Sequence, residues 1–364
     1  MHYHIILTEK CNSQCVYCYE KSMKEFDNKL KDKFKFDFKN PEKSEVDVQK
    51  LKKFLEKDKK AVLIFYGGEP LLKIDKIKEI IDNVDCKFRM QTNAKLLDQL
   101  PIEYLNKIDK ILISLDGDKE RTDENRGEGT YDKVMKNIQQ IKKQDYKGEL
   151  IARMTIGYTD LFEQATHLID VGFDSVHWQL DAGFYETDYT TDFKKFVKSY
   201  NNSVQKLITY WIMQMQKGKT LKLYPFLGIV DSLLKEETTK LRCGAGHSGY
   251  AITTDGKIVA CPIMNCIKDF EAGNLGSNPD ELKNFNIEEC EGCEYLDLCG
   301  GRCLYWRKAK LWPKQGDELI CNTIKFYIDK LKEKLPEIKQ LINEGTIKKE
   351  DFDYEKYFGP EIIP

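Results

Sequence analysis

The chain has 364 residues, 41% of them hydrophobic, and its 58 basic and 60 acidic residues leave a formal charge of -2. That balance gives no field of one sign and argues against nucleic acid or a membrane surface as a partner. No apolar run reaches the roughly 18–20 residues of a membrane span, and no signal-peptide pattern opens the chain, so a cytoplasmic protein of one large or two moderate domains is expected.

Short apolar runs alternate with amphipathic ones through the first half. HYHIIL (2–7), AVLIFYG (61–67), CKFRMQT (86–92), KILISLD (110–116), LIARMTI (150–156) and SVHWQL (175–180) read as strands. Between them DKIKEIIDNV and YDKVMKNIQQIKK carry apolar residues at three- and four-residue spacing and read as helices. This alternation predicts an α/β fold with a parallel sheet, open or curled into a partial (β/α)6 barrel, whose chemistry collects at the C-terminal strand ends. Residues 21–45 are nearly all charged or aromatic and read as a solvated insertion, either a surface loop or a cover for the site. Residues 192–218 read as a long helix ending near Gly218. From Cys243 onward glycine and cysteine become dense, which marks a domain held by something other than a large core. After Cys321 the amphipathic IKFYIDKLKEKLPEIKQLI reads as a helix. The expected domains are 1–190, a helical bridge 191–242, the cysteine-rich 243–321 and a helical tail 322–364.

Twelve cysteines in a reducing compartment do not persist as disulfides, so their clustering asks for metal or redox chemistry. TEKCNSQCVYCYE (8–20) sets Cys11, Cys15 and Cys18 as C-x3-C-x2-C just after the first strand. An iron–sulfur cluster normally takes one thiolate for each of four irons, so three thiols leave one iron open to a substrate or cofactor. A zinc site would want a fourth Cys or His, and none lies near in sequence.

With this triad the chain resembles the radical S-adenosylmethionine (SAM) superfamily. The resemblance implies a 4Fe-4S cluster on the triad whose open iron chelates SAM, and one-electron cleavage of SAM to a 5′-deoxyadenosyl radical. It extends in chain order. Tyr17 matches the aromatic residue near the adenine, and Gly67, Gly68 and Glu69 of YGGEP match the motif that offers backbone groups to the methionine amine. Glycine suits that role because a backbone approaches closely only where no side chain intervenes. By the same resemblance Ser114, in SLDG, and Arg153 contact the methionine carboxylate, for which a guanidinium is well shaped. Asn93, in QTNA, and Asp116 order the ribose or the loop.

The C-terminal cysteines resemble a SPASM domain, found in radical enzymes that modify peptides and proteins. The pattern runs Cys243, Gly256, Cys261, then C-x2-C-x5-C-x3-C at Cys290, Cys293, Cys299 and Cys303, then Cys321. Asp255-Gly256 between two alternating stretches is independently a hairpin signal that places Cys261 beyond a strand. The resemblance implies two auxiliary 4Fe-4S clusters, one on Cys290, Cys293, Cys299 and Cys321, the other on Cys243, Cys261 and Cys303. Cys266 either completes the second set, stays a free buried thiol, or leaves an open site for a substrate thiol. His247 reads as a loop residue rather than a ligand, and Cys86 as a small core residue in a strand.

The first expectation is therefore a maturase that abstracts hydrogen from a peptide and installs a thioether or carbon–carbon crosslink. A sulfatase-type formylglycine maturase is the alternative. Its relatives carry an aspartate after the cysteine that closes the hairpin, where this chain has Pro262, which supplies no general base. Asp181 is a replacement base or a helix cap, and Trp178 and Gln179 are placed near substrate by location alone, with a core role open for Trp178. A multi-cluster electron-transfer protein would not need the GGE, SLDG and Arg153 set. An external flavodoxin or ferredoxin is the expected reductant. No leader-binding domain precedes the first strand, so a separate protein or the cysteine-rich domain is expected to read any leader.

Overall fold

The computed structural model describes residues 1–18, 28–181, 189–190 and 192–358. In chain order the strands are β1 His2–Ile6, β2 Val62–Tyr66, β3 Lys87–Thr92, β4 Ile108–Ser114, β5 Glu149–Ile156, β6 Ser175–Leu180, β7 Gly249–Ile252, β8 Lys257–Val259 and β9 Glu271–Asn274. The longer helices are α1 Val48–Leu55, α2 Ile74–Asn83, α3 Lys119–Arg126, α4 Thr130–Lys143, α5 Leu161–Asp170, α6 Phe193–Gln216, α7 Tyr224–Lys235 and α8 Lys314–Asn343. All six N-terminal strands and both quoted helices lie where hydrophobic spacing predicts them. Cys86 falls one residue before β3 rather than inside it.

The chain forms two compact units, Met1–Ala152 with Gly244–Asn286, and Arg153–Cys243 with Ile287–Pro364. In the first unit the strand order is β4-β3-β2-β1-β7-β8-β9. β1 to β4 pair in parallel, and β2 (VLIFY) is buried along its whole length, as a strand covered on both faces must be. The sheet is α/β, open, and extended beyond the six predicted strands. β7 pairs in parallel with β1, matching His2 to Gly249 and Ile5 to Ile252, and β8 and β9 continue antiparallel. Asp255-Gly256 makes the expected hairpin turn, with Gly256 N–H donating to Thr253 O at 3.0 Å, and Cys261 follows β8.

The segment read as a solvated insertion is anchored over its second half. Leu30 is buried, the Phe34 ring lies 5.4 Å from that of Phe270, and Asp37 N–H donates to Cys266 O at 2.8 Å. Phe34 packs against the cysteine-rich part of the chain, while Phe38 faces water. Residues 19–27 lie outside the described residues.

The second unit has its own core. Trp178 in β6 is 1% exposed, its indole N–H donates to the Tyr200 hydroxyl at 3.1 Å, and its ring meets Phe226 edge to face at 5.0 Å. α6 and α8 pack along each other. Among the described residues no helix is long and apolar enough to cross a membrane.

Candidate functional site

The register of β1 on β2 builds the cysteine loop's support. Ile6 pairs with Tyr66, and the ladder runs past the strand ends. Leu7 N–H donates to Tyr66 O at 2.9 Å, Gly68 N–H to Thr8 O at 2.8 Å and Glu69 N–H to Lys10 O at 2.9 Å. The loop that starts at Cys11 is thus hydrogen-bonded to the GGE stretch. The glycines are needed for this approach first of all. A Cβ on Gly67, whose φ is +145°, would sit 2.4 Å from Thr8 O, and one on Gly68 would sit 2.3 Å from Lys10 O.

Glu69 is fully buried and ties β2 to β3. Its Oε1 accepts Leu71 N–H at 3.0 Å and the Thr92 hydroxyl at 2.6 Å, and its Oε2 accepts Asn93 N–H at 2.8 Å. Burial pushes its carboxyl from an ordinary 4.5 up to about 7, against the pull of these donors. The folded state therefore holds a proton that the unfolded chain releases. The resulting stability is full below about pH 4.5 and is lost as the pH rises through about 7. Glu69→Gln removes this titration and costs about 1–3 kcal/mol at pH 5, because one buried N–H donor loses its acceptor. Thermal melts from pH 5 to 8 check this; a Glu69→Gln slope equal to that of the parent refutes it.

β3 and β4 bring the next pair together. Their register sets Thr92 against Ile113, so Asn93 and Ser114 leave the sheet side by side. The Asn93 amide donates to Asn12 Oδ1 at 2.7 Å and to Ser13 Oγ at 3.3 Å, and stands 3.7 Å from Cys11 Sγ. Asn93 thus orders the cysteine loop. Asp116 does the same from β4. Its Oδ2 accepts from Arg126 Nε at 2.9 Å, Asn125 Nδ2 at 3.2 Å and the Tyr17 hydroxyl, and its Oδ1 accepts from Arg126 Nη2 at 2.9 Å. Asp116 thus ties the end of β4 to α3 and to Tyr17 of the cysteine loop.

Arg126, Asn125 and Thr122 are the site residues that sequence reading passed over. They form the buried face of α3, KERTDENR, which holds no apolar residue and is capped by Asp118 accepting Arg121 N–H at 2.9 Å. That absence of apolar residues was the available signal, since such a helix buries a face only against polar partners. Burial opposes the Arg126 charge, yet Asp116, Tyr17 and Cys15 together outweigh it and hold the guanidinium above its ordinary pKa. Removing one member of such a buried pair costs about 3–5 kcal/mol.

Four other predicted residues, Arg153, Trp178, Gln179 and Asp181, belong to the second unit. Arg153 Nη2 donates to Gln179 Oε1 at 2.6 Å, so Gln179 orients Arg153. Trp178 takes the core role. Asp181 borders a cavity of about 260 Å³ with Phe193, Phe196 and Trp312. The next described helix, α6, has Asp192 at its N-cap position, so Asp181 does not cap it.

In the same unit the chain gathers Cys290, Cys299 and Cys321 around Arg307. Arg307 Nη2 donates to Cys321 Sγ at 3.1 Å, and these three thiols each feel the Arg307 charge, with Cys293 acting on Cys290. Cys321 arrives on α8, while Cys299 ends the short helix Leu296–Cys299. Arg242 fixes the neighbouring backbone: its Nε donates to Leu298 O at 2.6 Å, and Leu241 N–H donates to Gly300 O at 2.7 Å. Cys243 and Cys303 lie in this unit, Cys261 and Cys266 in the first. Cys266 is 7% exposed and burial pushes its thiol up to about 12, with Glu9 adding to the shift. His247 is a loop residue with its Nδ1 at 2.8 Å from Ser248 Oγ.

The donor set of the cysteine loop suits an iron–sulfur cluster. No group of three or more His, Cys, Asp or Glu among the described residues is gathered tightly enough for a single metal ion. Cluster thiolates stand farther apart, because each binds a different iron. N–H donors aimed at Cys11, Cys15 and Cys321 are partners that suit a thiolate sulfur.

Comparison with known proteins agrees with this geometry. Residues 5–172 match the model of the radical SAM superfamily. An uncharacterized protein of Archaeoglobus fulgidus is 27% identical over 332 residues, covering 86% of this chain and 75% of that protein. The radical SAM cyclopropyl synthase TigE of Paramaledivibacter caminithermalis is 22% identical over 367 residues, covering 91% and 73%. The solved structure of anSMEcpe with bound AdoMet and Cp18Cys peptide aligns with a TM-score of 0.71 at 17% identity, over 94% of this chain and 99% of that one, which shows a shared fold. The matched segment carries the cysteine triad and the GGE, Asn93 and Asp116 strand ends just described, and residues 5–172 form a radical SAM domain.

Proposed function

We propose that the chain modifies a peptide, abstracting hydrogen from it and installing a thioether or carbon–carbon crosslink. The observation that carries this reading is the gathering of Cys290, Cys299 and Cys321 around Arg307, a second thiol site that cofactor cleavage alone does not require. The peptide as substrate class is supported by the fold shared over 94% of the chain with a structure holding a peptide. A formylglycine maturase is the lesser reading, because Pro262 opens a 3-10 turn where a carboxylate base would be wanted.

Cys11, Cys15 and Cys18 are the proposed ligands of the radical cluster, with Ser114, Arg153 and the backbone of Gly67–Glu69 toward SAM. Cluster and SAM, when bound, supply a carbon-centred radical able to abstract hydrogen. The chain's own contribution is to hold the cysteine loop against β2 and β3 and to exclude water. Cys290, Cys293, Cys299 and Cys321 are proposed to hold one auxiliary cluster. By the resemblance to a SPASM domain, Cys243, Cys261 and Cys303 are proposed to hold another, with Cys266 as its fourth ligand. Asp181 is the proposed base, a flavodoxin or ferredoxin the reductant, and the reducing cytoplasm the setting for so many thiols.

Iron analysis of anaerobically reconstituted protein tests the assignment together with a 5′-deoxyadenosine assay under dithionite. About twelve irons per chain is the expected result, four for each of three clusters. Cys299→Ala is expected to keep cofactor cleavage and lose about four irons and the modified peptide. An unchanged iron count in that variant removes the auxiliary assignment. A short patterned precursor gene beside this one favours the peptide reading, and a sulfatase gene favours the other.

A further inference from the structure

Arg126 bridges two unlike partners. Its Nε and Nη2 grip both oxygens of Asp116 at 2.9 Å each, while its Nη1 stands 3.9 Å from Cys15 Sγ. The Arg126 side chain is 6% exposed and that of Asp116 is 1% exposed. The guanidinium lies over the Tyr17 ring, 5.2 Å from its centroid, so the residue between Cys15 and Cys18 is also its neighbour. Val16 N–H donates to Asn125 O at 3.0 Å, which fixes the loop to the end of α3 beside Arg126.

Stability alone does not account for this arrangement. A buried ion pair must repay the desolvation of two charges, and an apolar pair of similar volume often serves a fold as well or better. The ion pair offers something an apolar pair does not: a fixed positive charge, with an N–H donor, on the Cys15 side of the carboxylate. Hydrogen bonds to the sulfurs and the net charge nearby are what set a cluster's reduction potential. Positive charge there favours the reduced, more negative cluster.

We propose that Arg126 sets the reduction potential of the cluster held by Cys11, Cys15 and Cys18, with Asp116 fixing its pose and moderating its charge. Arg126 is a positioning residue for electron entry. One electron passes from the external reductant to the cluster. No bond forms or breaks at Arg126, and no proton leaves the guanidinium, which stays charged in proteins. The inference rests on the triad being the cluster ligands.

Potentiometric titration followed by electron paramagnetic resonance tests it on anaerobically reconstituted full-length protein, with Cys15→Ala identifying the signal of this cluster. Arg126→Met is expected to lower the equilibrium constant for reduction about tenfold, which for one electron is about 59 mV toward lower potential. Arg126→Lys, which keeps the charge, recovers more than half of that shift. Asp116→Asn moves the potential upward, because the guanidinium charge is then uncompensated. A purely structural role would weaken cluster assembly in every variant without this reversal of sign. An unmoved potential in Arg126→Met, or a downward shift in Asp116→Asn, overturns the proposal. If Arg126→Met assembles too little cluster to titrate, the upward shift in Asp116→Asn supports the proposal and its absence overturns it. A signal lost in Cys15→Ala but unmoved by Arg126→Met sinks this proposal alone, whereas a signal that survives Cys15→Ala sinks the triad assignment as well.

Discussion

Cys15→Ala loses 5′-deoxyadenosine formation under dithionite by more than about 100-fold, beyond the 10–100-fold typical for residues that only support a metal ligand. The expectation follows from the donor set. Cys11, Cys15 and Cys18 are the thiols on the β1 loop, and a cluster held by these three, as proposed, has no spare ligand. The same variant is expected to lose about four irons per chain while its far-ultraviolet circular dichroism stays unchanged, because Cys15 carries no core packing. Full turnover in Cys15→Ala would remove the triad from the chemistry. A loss of turnover with collapse of the fold is separated from a loss of ligand by that spectrum.

Gly68→Ala is expected to damage the site without touching a ligand. The added Cβ would lie 2.3 Å from Lys10 O, 2.5 Å from Lys10 C and 2.7 Å from Glu9 O, and all three are backbone atoms that cannot swing aside as a side-chain tip can. Relief requires the cysteine loop to move off β2, breaking the bonds from Gly68 N–H to Thr8 O and from Glu69 N–H to Lys10 O. Overpacking of this kind costs about 1–3 kcal/mol and each lost hydrogen bond about 1 kcal/mol more. The midpoint of thermal unfolding should fall, and iron uptake by the triad should fall with it. Normal iron content and an unchanged melt would show that the loop has room the geometry denies.

Both predictions rest on features that a linear reading exposes well. Parallel strands announce themselves as unbroken apolar runs, and β2 is VLIFY, buried throughout. Thiols that share one loop must lie close together, so Cys11, Cys15 and Cys18 are legible as a set from spacing alone. The strand ends were legible for the same reason, since each motif follows its strand directly. The glycines are a subtler case. Their need for close approach was legible, but the backbone that approaches them is the cysteine loop itself.

Other parts were hidden because they depend on contacts between residues far apart in the chain. Nothing local says that β7 seats itself beside β1, yet the pairing of His2 with Gly249 decides that the cysteine-rich hairpin continues the sheet. Arg126 and Asn125 sit in a stretch with no apolar residue to mark a buried face, and only burial against Asp116 and the cysteine loop gives them a role. Position left both a substrate and a core role open for Trp178, and packing on Phe226 and Tyr200 decided for the core.

By itself the sequence determined the strand order in the chain, the strand-end positions of the motifs and the membership of the cysteine triad. Each is set by local periodicity or covalent spacing, which every residue carries with it. Tertiary structure alone decided that Asp116 holds Arg126, Asn125 and Tyr17, that Arg126 faces Cys15, and that Arg307 stands among Cys290, Cys299 and Cys321. Those outcomes depend on which buried polar group finds which partner, and a buried charge takes whatever partner the closed fold brings within hydrogen-bond reach.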